Sequence, residues 1–201
     1  MEHVRKTEKL IDLLAEKSMS NGVISEENAS IYRYGVKHLL LMPLYFFSYL
    51  SVGIVTDNLF WLCIYLLAFT AIRVYAGGFH LKHRSSCFLF TIGMVGVSSV
   101  LLKHYEYFFS IPVWSVIMIA GYIVILWLAP IDSSKRTFDE QEKIYFRKIA
   151  IRIAAIEFIL FGVTLILKSV QCAFVFVLAF LVETIFLLLG KWLRERDKSA
   201  V

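Results

Sequence analysis

The sequence predicts an all-α, polytopic integral membrane protein. It would have about six transmembrane helices behind an N-terminal amphipathic helix, with both chain ends in the cytoplasm. Three observations carry this prediction. Of 201 residues, 59% are hydrophobic and only 18% are charged. The apolar residues come in long blocks, whereas a soluble fold would scatter them at helix or strand spacing. The segments between blocks alternate between rich and poor in lysine and arginine. No long linker, internal repeat or low-complexity tract intervenes, so residues 1–201 read as one membrane domain.

The opening segment, 1–35, has no apolar core, and no cleavable signal peptide is expected. It reads as a charged amphipathic helix. Val4, Leu10, Ile11, Leu14 and Ala15 share one side, and Arg5, Lys6, Glu8, Lys9 and Asp12 occupy the rest. Such a helix suits the lipid interface of the inner leaflet or, equally, a solvated cap on the helix ends. Ser20-Asn21-Gly22 breaks it, and Ser25-x-x-Asn28 opens a second helix that runs into the first span. The spans are expected at roughly 36–55, 59–75, 87–102, 112–130, 149–167 and 169–190. The third is short and contains glycine. The fourth stops at Pro130, where Asp132-Ser133-Ser134 can cap a charged helix reaching Lys148. The fifth carries Arg152 and Glu157, expected to pair with each other. The sixth holds Glu183, which marks a peptide path or an interhelical bond.

Orientation follows from the basic residues. Arg5, Lys6, Lys9, Lys17 and Arg33 precede the first span, and the connection at Thr56-Asp57-Asn58 has none. Arg73, Lys82 and Arg84 flank the second connection, and Lys103 alone marks the third. Lys135, Arg136, Lys143, Arg147 and Lys148 fill the fourth, Lys168 alone the fifth, and Lys191, Arg194, Arg196 and Lys198 the tail. The alternation places both termini, His80 and Cys87 at the cytoplasmic face. The net charge of +5 is therefore a topology signal. Spread over separate segments, it forms no dense patch for nucleic acid.

Three cysteines, scattered and odd in number, make no disulfide framework. There is no CxxC and no His/Cys spacing typical of structural zinc, so neither metal nor other cofactor is expected. Cys63 and Cys172 read as buried, apolar-like side chains. Cys87 is different. The stretch Arg73-Val-Tyr-Ala-Gly-Gly-Phe-His80-Leu-Lys-His83-Arg-Ser-Ser-Cys87 sets paired glycines, two histidines and a thiol between two apolar runs. Polar groups concentrated at a membrane edge generally mark function.

A free thiol is only a few per cent ionised at neutral pH, so a nucleophilic cysteine needs help. If Ser85 or Ser86 caps the third span, Cys87 falls in the first helical turn, where the helix dipole favours a thiolate. His80 or His83 could take the proton. On a continuous helix, His83 shares a face with Cys87, four residues on. His80 lies about 10.5 Å away along a straight axis. It reaches the sulfur only if the chain folds back, which Gly77-Gly78 permit. Spacing alone leans to His83 and leaves both open.

The pattern Arg-x-x-x-x-Gly-Gly-Phe-His, with Cys seven positions after the His, resembles the signature of the AgrB family, membrane cysteine endopeptidases of Gram-positive quorum sensing. The Ala129-Pro130-x-Asp132…Lys135-Arg136 segment and the chain length fit the same family. The resemblance implies His80 and Cys87 as the catalytic pair and Arg73 and Gly78 as supporting residues, with His83 left as the alternative base. It implies a multi-pass enzyme of the cell membrane, active toward the cytoplasm and dimeric with itself. The substrate would be an AgrD-like precursor peptide with a lipid-bound amphipathic leader and an acidic C-terminal part. Cys87 would form a thioester with it, and an internal Cys or Ser of the precursor would close a thiolactone or lactone ring.

Arg73 could bind the precursor's acidic part, support the oxyanion or loop, or serve only as a positive-inside charge. Lys135 and Arg136 read first as topology charges and second as precursor contacts. Two other classes of function compete: a transporter of a small solute or peptide using Arg152, Glu157 and Glu183, and a non-catalytic partner of a membrane sensor. Inverted repeats, the usual mark of a transporter, are not apparent.

Overall fold

The computed structural model describes residues 12–14, 16–22, 25, 29–79, 84–108, 110–131 and 139–199. They are helical throughout, apart from turns and one isolated β-bridge. The helices are α1 (Ala29–Val55), α2 (Leu59–Ala76), α3 (Arg84–Lys103), α4 (Ile111–Leu128), α5 (Glu140–Ile166) and α6 (Val170–Ser199), with a 3-10 turn at Tyr105–Phe108. Two compact units result, residues 1–50 and 51–201.

In the first unit, residues 16–20 are helical and stop at a turn where Gly22 adopts φ +68°. Ser18 donates to the Tyr32 hydroxyl (3.0 Å), and Asp12 pairs with Arg33 (3.1 Å). Most of the predicted amphipathic face, including Val4, Leu10, Ile11 and Ala15, lies outside the described residues.

Helices α2 to α6 are each long and apolar enough to cross a membrane, and the chain is a multi-pass membrane protein. The first predicted span falls within α1, whose apolar part among the described residues is Met42–Val55. The third span is not short. Gly93 and Gly96 sit inside α3 facing open space and leave it a continuous helix of 20 residues. The charged segment before the fifth span is no separate helix either. A capping box, in which Asp139 accepts from the Glu142 amide (2.6 Å), starts α5 at Glu140 and carries it unbroken to Ile166.

Helix α6 is the centre of the second unit. It is buried over 61% of its apolar window, against 22–33% for the others, and packs against α2, α3, α4 and α5. Every residue from Ala173 to Phe180 is buried, because an all-round apolar helix has no face to give to a polar phase. Small residues let neighbours approach, as lipid-embedded packing requires. A methyl on Gly121 of α4 would come within 3.0 Å of Phe180 and 2.9 Å of Thr184 Oγ1. The outer faces carry Leu67, Val97, Val116, Trp127 and Ile159 exposed, an apolar surface suited to acyl chains.

At one end of this unit, Asn58 precedes α2 without capping it. Its side-chain amide donates to the Ser99 carbonyl (2.9 Å), and the Thr56 and Ser99 hydroxyls are 2.7 Å apart. Lys103 donates to the Thr56 carbonyl (2.9 Å), and Gln171 to that of Leu102 (3.3 Å). The opposite end gathers the C-termini of α2 and α4 and the start of α3, and there the candidate site lies. Because the Asn58 amide satisfies a buried carbonyl, Asn58→Ala should destabilise the protein by about 1–3 kcal/mol. Unfolding of the detergent-solubilised chain measures this, and an unchanged midpoint contradicts it.

Candidate active site at one end of the bundle

Helix α2 ends with a membrane problem. Its last carbonyls and the backbone that follows need hydrogen-bond partners where water is scarce. Several are found within the protein. The Ala76 carbonyl accepts from the Ile131 amide (2.9 Å), which forms the isolated parallel bridge between Gly77 and Ile131. The Gly77 and Phe79 carbonyls both accept from the Arg73 guanidinium, through Nη1 and Nη2. The Phe79 amide donates to the Phe186 carbonyl of α6 (3.0 Å). Arg73 stands one helical turn before Gly77, so its side chain folds forward over the turn that its own helix leaves open.

Both glycines are required by this geometry. Gly77 has φ +72° and Gly78 φ +110°. A methyl at Gly77 would collide with the Ile131 carbonyl; at Gly78 it would fall 2.6 Å from Arg73 Nη1 and 3.0 Å from the Phe186 carbonyl. Helix α6 supplies the matching surface. At Gly190, a methyl would lie 2.8 Å from both Gly78 C and Phe79 N. Gly78 therefore lies directly on α6 and Gly77 against Ile131, with the guanidinium bonded to the turn.

Arg73 has two further partners. Its Nη1 is 3.7 Å from Glu183 Oε1, and its guanidinium carbon lies 4.8 Å from the centre of the Phe186 ring. Glu183 has no exposed side-chain surface, and neither of its carboxylate oxygens has a hydrogen-bond partner among the described residues. The guanidinium is thus its compensating charge, and this is the interhelical bond anticipated as one role for Glu183. Glu157 is also buried, and its Oε2 has no hydrogen-bond partner among the described residues. The expected Arg152–Glu157 pair does not form. Five residues of helix turn the two about 140° apart, and Arg152 is exposed while Glu157 is buried.

Cys87 is the fourth residue of α3 and is half-buried. Its carbonyl accepts from Thr91 Oγ1 (2.7 Å). Ser86 lies inside the first turn, as does the backbone of Ser85, so neither occupies the capping position expected of it. An aromatic trio joins the turn to α3. Phe79 packs on Phe90 (5.7 Å between ring centres) and Phe186 (6.2 Å), and Phe90 packs on Phe186 (5.8 Å). Phe79 is the residue before His80, and Phe90 is three after Cys87 on the same helix. His80, His83, Lys135 and Arg136 lie outside the described residues. Cys63 is exposed on α2, against the expectation of burial, and Cys172 is half-buried. No cluster of His, Cys, Asp or Glu able to hold a metal occurs among the described residues.

The parts missed from sequence are the α6 contributions, Phe186 and Gly190. A backbone carbonyl leaves no mark in sequence. Gly190, at the polar end of an apolar helix, was a signal that helical spacing from Glu183 could have exploited.

Fold and site together define a multi-pass membrane protein with a thiol in the first turn of one helix, beside a braced glycine turn. The chain matches the family model for Accessory gene regulator B, AgrB, over residues 7–187, and it belongs to that family. It is similar to AgrB-like protein 2 of Clostridium perfringens (strain 13 / Type A), at 27% identity over 143 residues covering 68% of this chain and 66% of the relative. It is also similar to an AgrB-like protein of Clostridium perfringens (strain SM101 / Type A), at 26% over 143 residues with the same coverage. The match thus spans just under two thirds of either relative's length. No solved structure matches the chain.

Since Gly78 combines positive φ with contacts on two fixed groups, Gly78→Ala should destabilise the detergent-solubilised protein by about 1–3 kcal/mol. Equal stability of variant and parent in denaturant unfolding contradicts this account of the turn.

Proposed function

We propose that this protein is a membrane cysteine endopeptidase that cleaves an AgrD-like precursor peptide and supports its cyclisation to an autoinducing thiolactone or lactone. One observation carries the reading: in a chain of the AgrB family, Cys87 opens α3 at the end of the bundle where Arg73 braces the turn leading into His80. The family assignment supports the peptide-processing class. The position of Cys87 supports its role as nucleophile.

In this reading the Cys87 thiolate attacks a precursor carbonyl carbon. The C–S bond forms, the peptide C–N bond breaks, and protonated His80 gives its proton to the departing amine. A thioester remains on Cys87. The precursor's internal thiol or hydroxyl then attacks it and closes the ring. His80 takes the proton, and Cys87 leaves as thiolate. Exchange of one thioester for another is nearly balanced, so removal of the C-terminal fragment or export of the ring draws it forward. Excluding water from the site would favour cyclisation over hydrolysis. Arg73 and Gly78 support the turn, and His83 is the alternative base. Lys135 and Arg136 are charges available to an acidic precursor segment.

The same reading places six spans in the cell membrane of a Gram-positive bacterium, α1 contributing the first, within one membrane domain of residues 1–201. Both termini and Cys87 face the cytoplasm, and a second copy of the chain is the partner in a homodimer. The alternation of basic and non-basic connections supports the orientation.

Co-expression with a precursor of about fifty residues tests the chemistry, the nucleophile and base each being indispensable to a concerted site. Cys87→Ala and His80→Ala should abolish the cleaved fragment, read by mass spectrometry, at unchanged membrane levels. Cleavage by Cys87→Ala at the parent rate would end the reading. Topology has its own check: a membrane-impermeant maleimide should label Cys87 in inverted vesicles and spare it in intact cells. Labelling from outside would reverse the orientation.

A further inference from the structure

Helix α6 carries three features of the site that the proposed reaction does not itself use. Glu183, Phe186 and Gly190 fall within about 60° of one another around the helix and rise over roughly 10.5 Å. Each meets the turn after α2 with a different chemistry. Gly190 leaves the notch into which Gly78 and Phe79 fit, the Phe186 carbonyl accepts the Phe79 amide, and Glu183 faces Arg73. Glu183 is the telling member. A carboxylate with no exposed surface and, among the described residues, no hydrogen bond to either oxygen is costly in the core of a membrane protein. Packing alone would be served better by Leu, the residue that recurs beside it at 187, 188 and 189. What the carboxylate adds is a fixed charge that aims the guanidinium. The same Nη1 that faces Glu183 also donates to the Gly77 carbonyl, and Nη2 reaches Phe79.

We propose that the Glu183–Phe186–Gly190 stripe is the template on which the turn preceding His80 is set against the start of α3, and that Glu183 is a positioning residue acting through Arg73. This rests on the Cys87–His80 reading above. It assigns to α6, remote in sequence from the thiol and histidine, control over how closely they meet. Glu183 touches no substrate; removing its charge frees Arg73 to leave the carbonyls, and the turn loses its register.

The test reads thiol reactivity, which needs no precursor. In full-length protein carrying Cys63→Ser and Cys172→Ser, the iodoacetamide alkylation rate of Cys87 is measured in lipid nanodiscs at neutral pH. His80→Ala should lower it by about tenfold, the scale on which an adjacent base activates a thiol. Glu183→Gln should lower it by a comparable factor, and Glu183→Asp, which keeps the charge, should retain most of it. In a His80→Ala background, Glu183→Gln should cause no further loss, a non-additivity that general loosening of the bundle would not give. Gly190→Ala, whose methyl strikes the turn backbone, should behave as Glu183→Gln does and serves where the charge variant fails to fold. If His80→Ala slows alkylation while both α6 variants keep the parent rate, the positioning role is overturned and the catalytic pair stands. A further drop from Glu183→Gln in the His80→Ala background also overturns it. If His80→Ala leaves the rate unchanged, the catalytic reading falls, and this inference falls with it.

Discussion

A guanidinium inside a membrane protein must be matched by acceptors, and the matching of Arg73 organises the whole site. Hydrocarbon tolerates irregular backbone only where protein supplies its hydrogen bonds. The turn after α2 is such a backbone. Arg73 satisfies the Gly77 and Phe79 carbonyls, the Phe186 carbonyl takes the Phe79 amide, and the Ile131 amide serves Ala76. Three separate parts of the chain, α2, α6 and the segment after α4, thereby converge on Ala76, Gly77 and Phe79. Remove the arginine and two carbonyls and one carboxylate are left unpaired together.

From that constraint the surrounding packing follows. The glycines are needed because backbone rests directly on backbone, with Gly190 answering Gly78 across the α2–α6 contact. The aromatic trio then transmits the position of the turn to α3, since Phe79 cannot shift without disturbing Phe90 one turn beyond Cys87. Helix α6 bears most of this load, and its packing against α2, α3, α4 and α5 suits it to the task. A braced turn suits the proposed acyl transfer, which needs its reacting groups held close.

Much of this was legible in the sequence, for identifiable reasons. Helices within a membrane announce themselves by apolar length, so α2 to α6 fall where the blocks predict them, and α4 stops just before the breaker Pro130. The cap of α5 was not foreseen: it is Asp139, and Asp132-Ser133-Ser134, expected to cap a helix there, lie outside the described residues. Lengths erred where charge was read as a boundary. The charged start of α5 and the tail of α6 continue their helices, because backbone hydrogen bonding does not stop at the membrane surface. The Arg73–Cys87 stretch stood out because it is polar where its surroundings are not. Pairwise geometry was less visible. Arg152 and Glu157 looked like partners by charge, yet helical rotation sets them on different faces, and the actual partner of a buried carboxylate, Glu183, came from a helix distant in sequence. A carbonyl donated by Phe186 has no sequence signature at all.

The central claim is that Cys87 carries the cleaved peptide as a thioester. The most direct measurement uses a precursor whose internal ring-forming Cys is replaced by Ala, so that the second transfer has no nucleophile. Mass spectrometry of the protein after incubation should find the N-terminal precursor fragment attached to the peptide containing Cys87 and released by hydroxylamine. Cleavage of that precursor with Cys87 never modified would contradict the account.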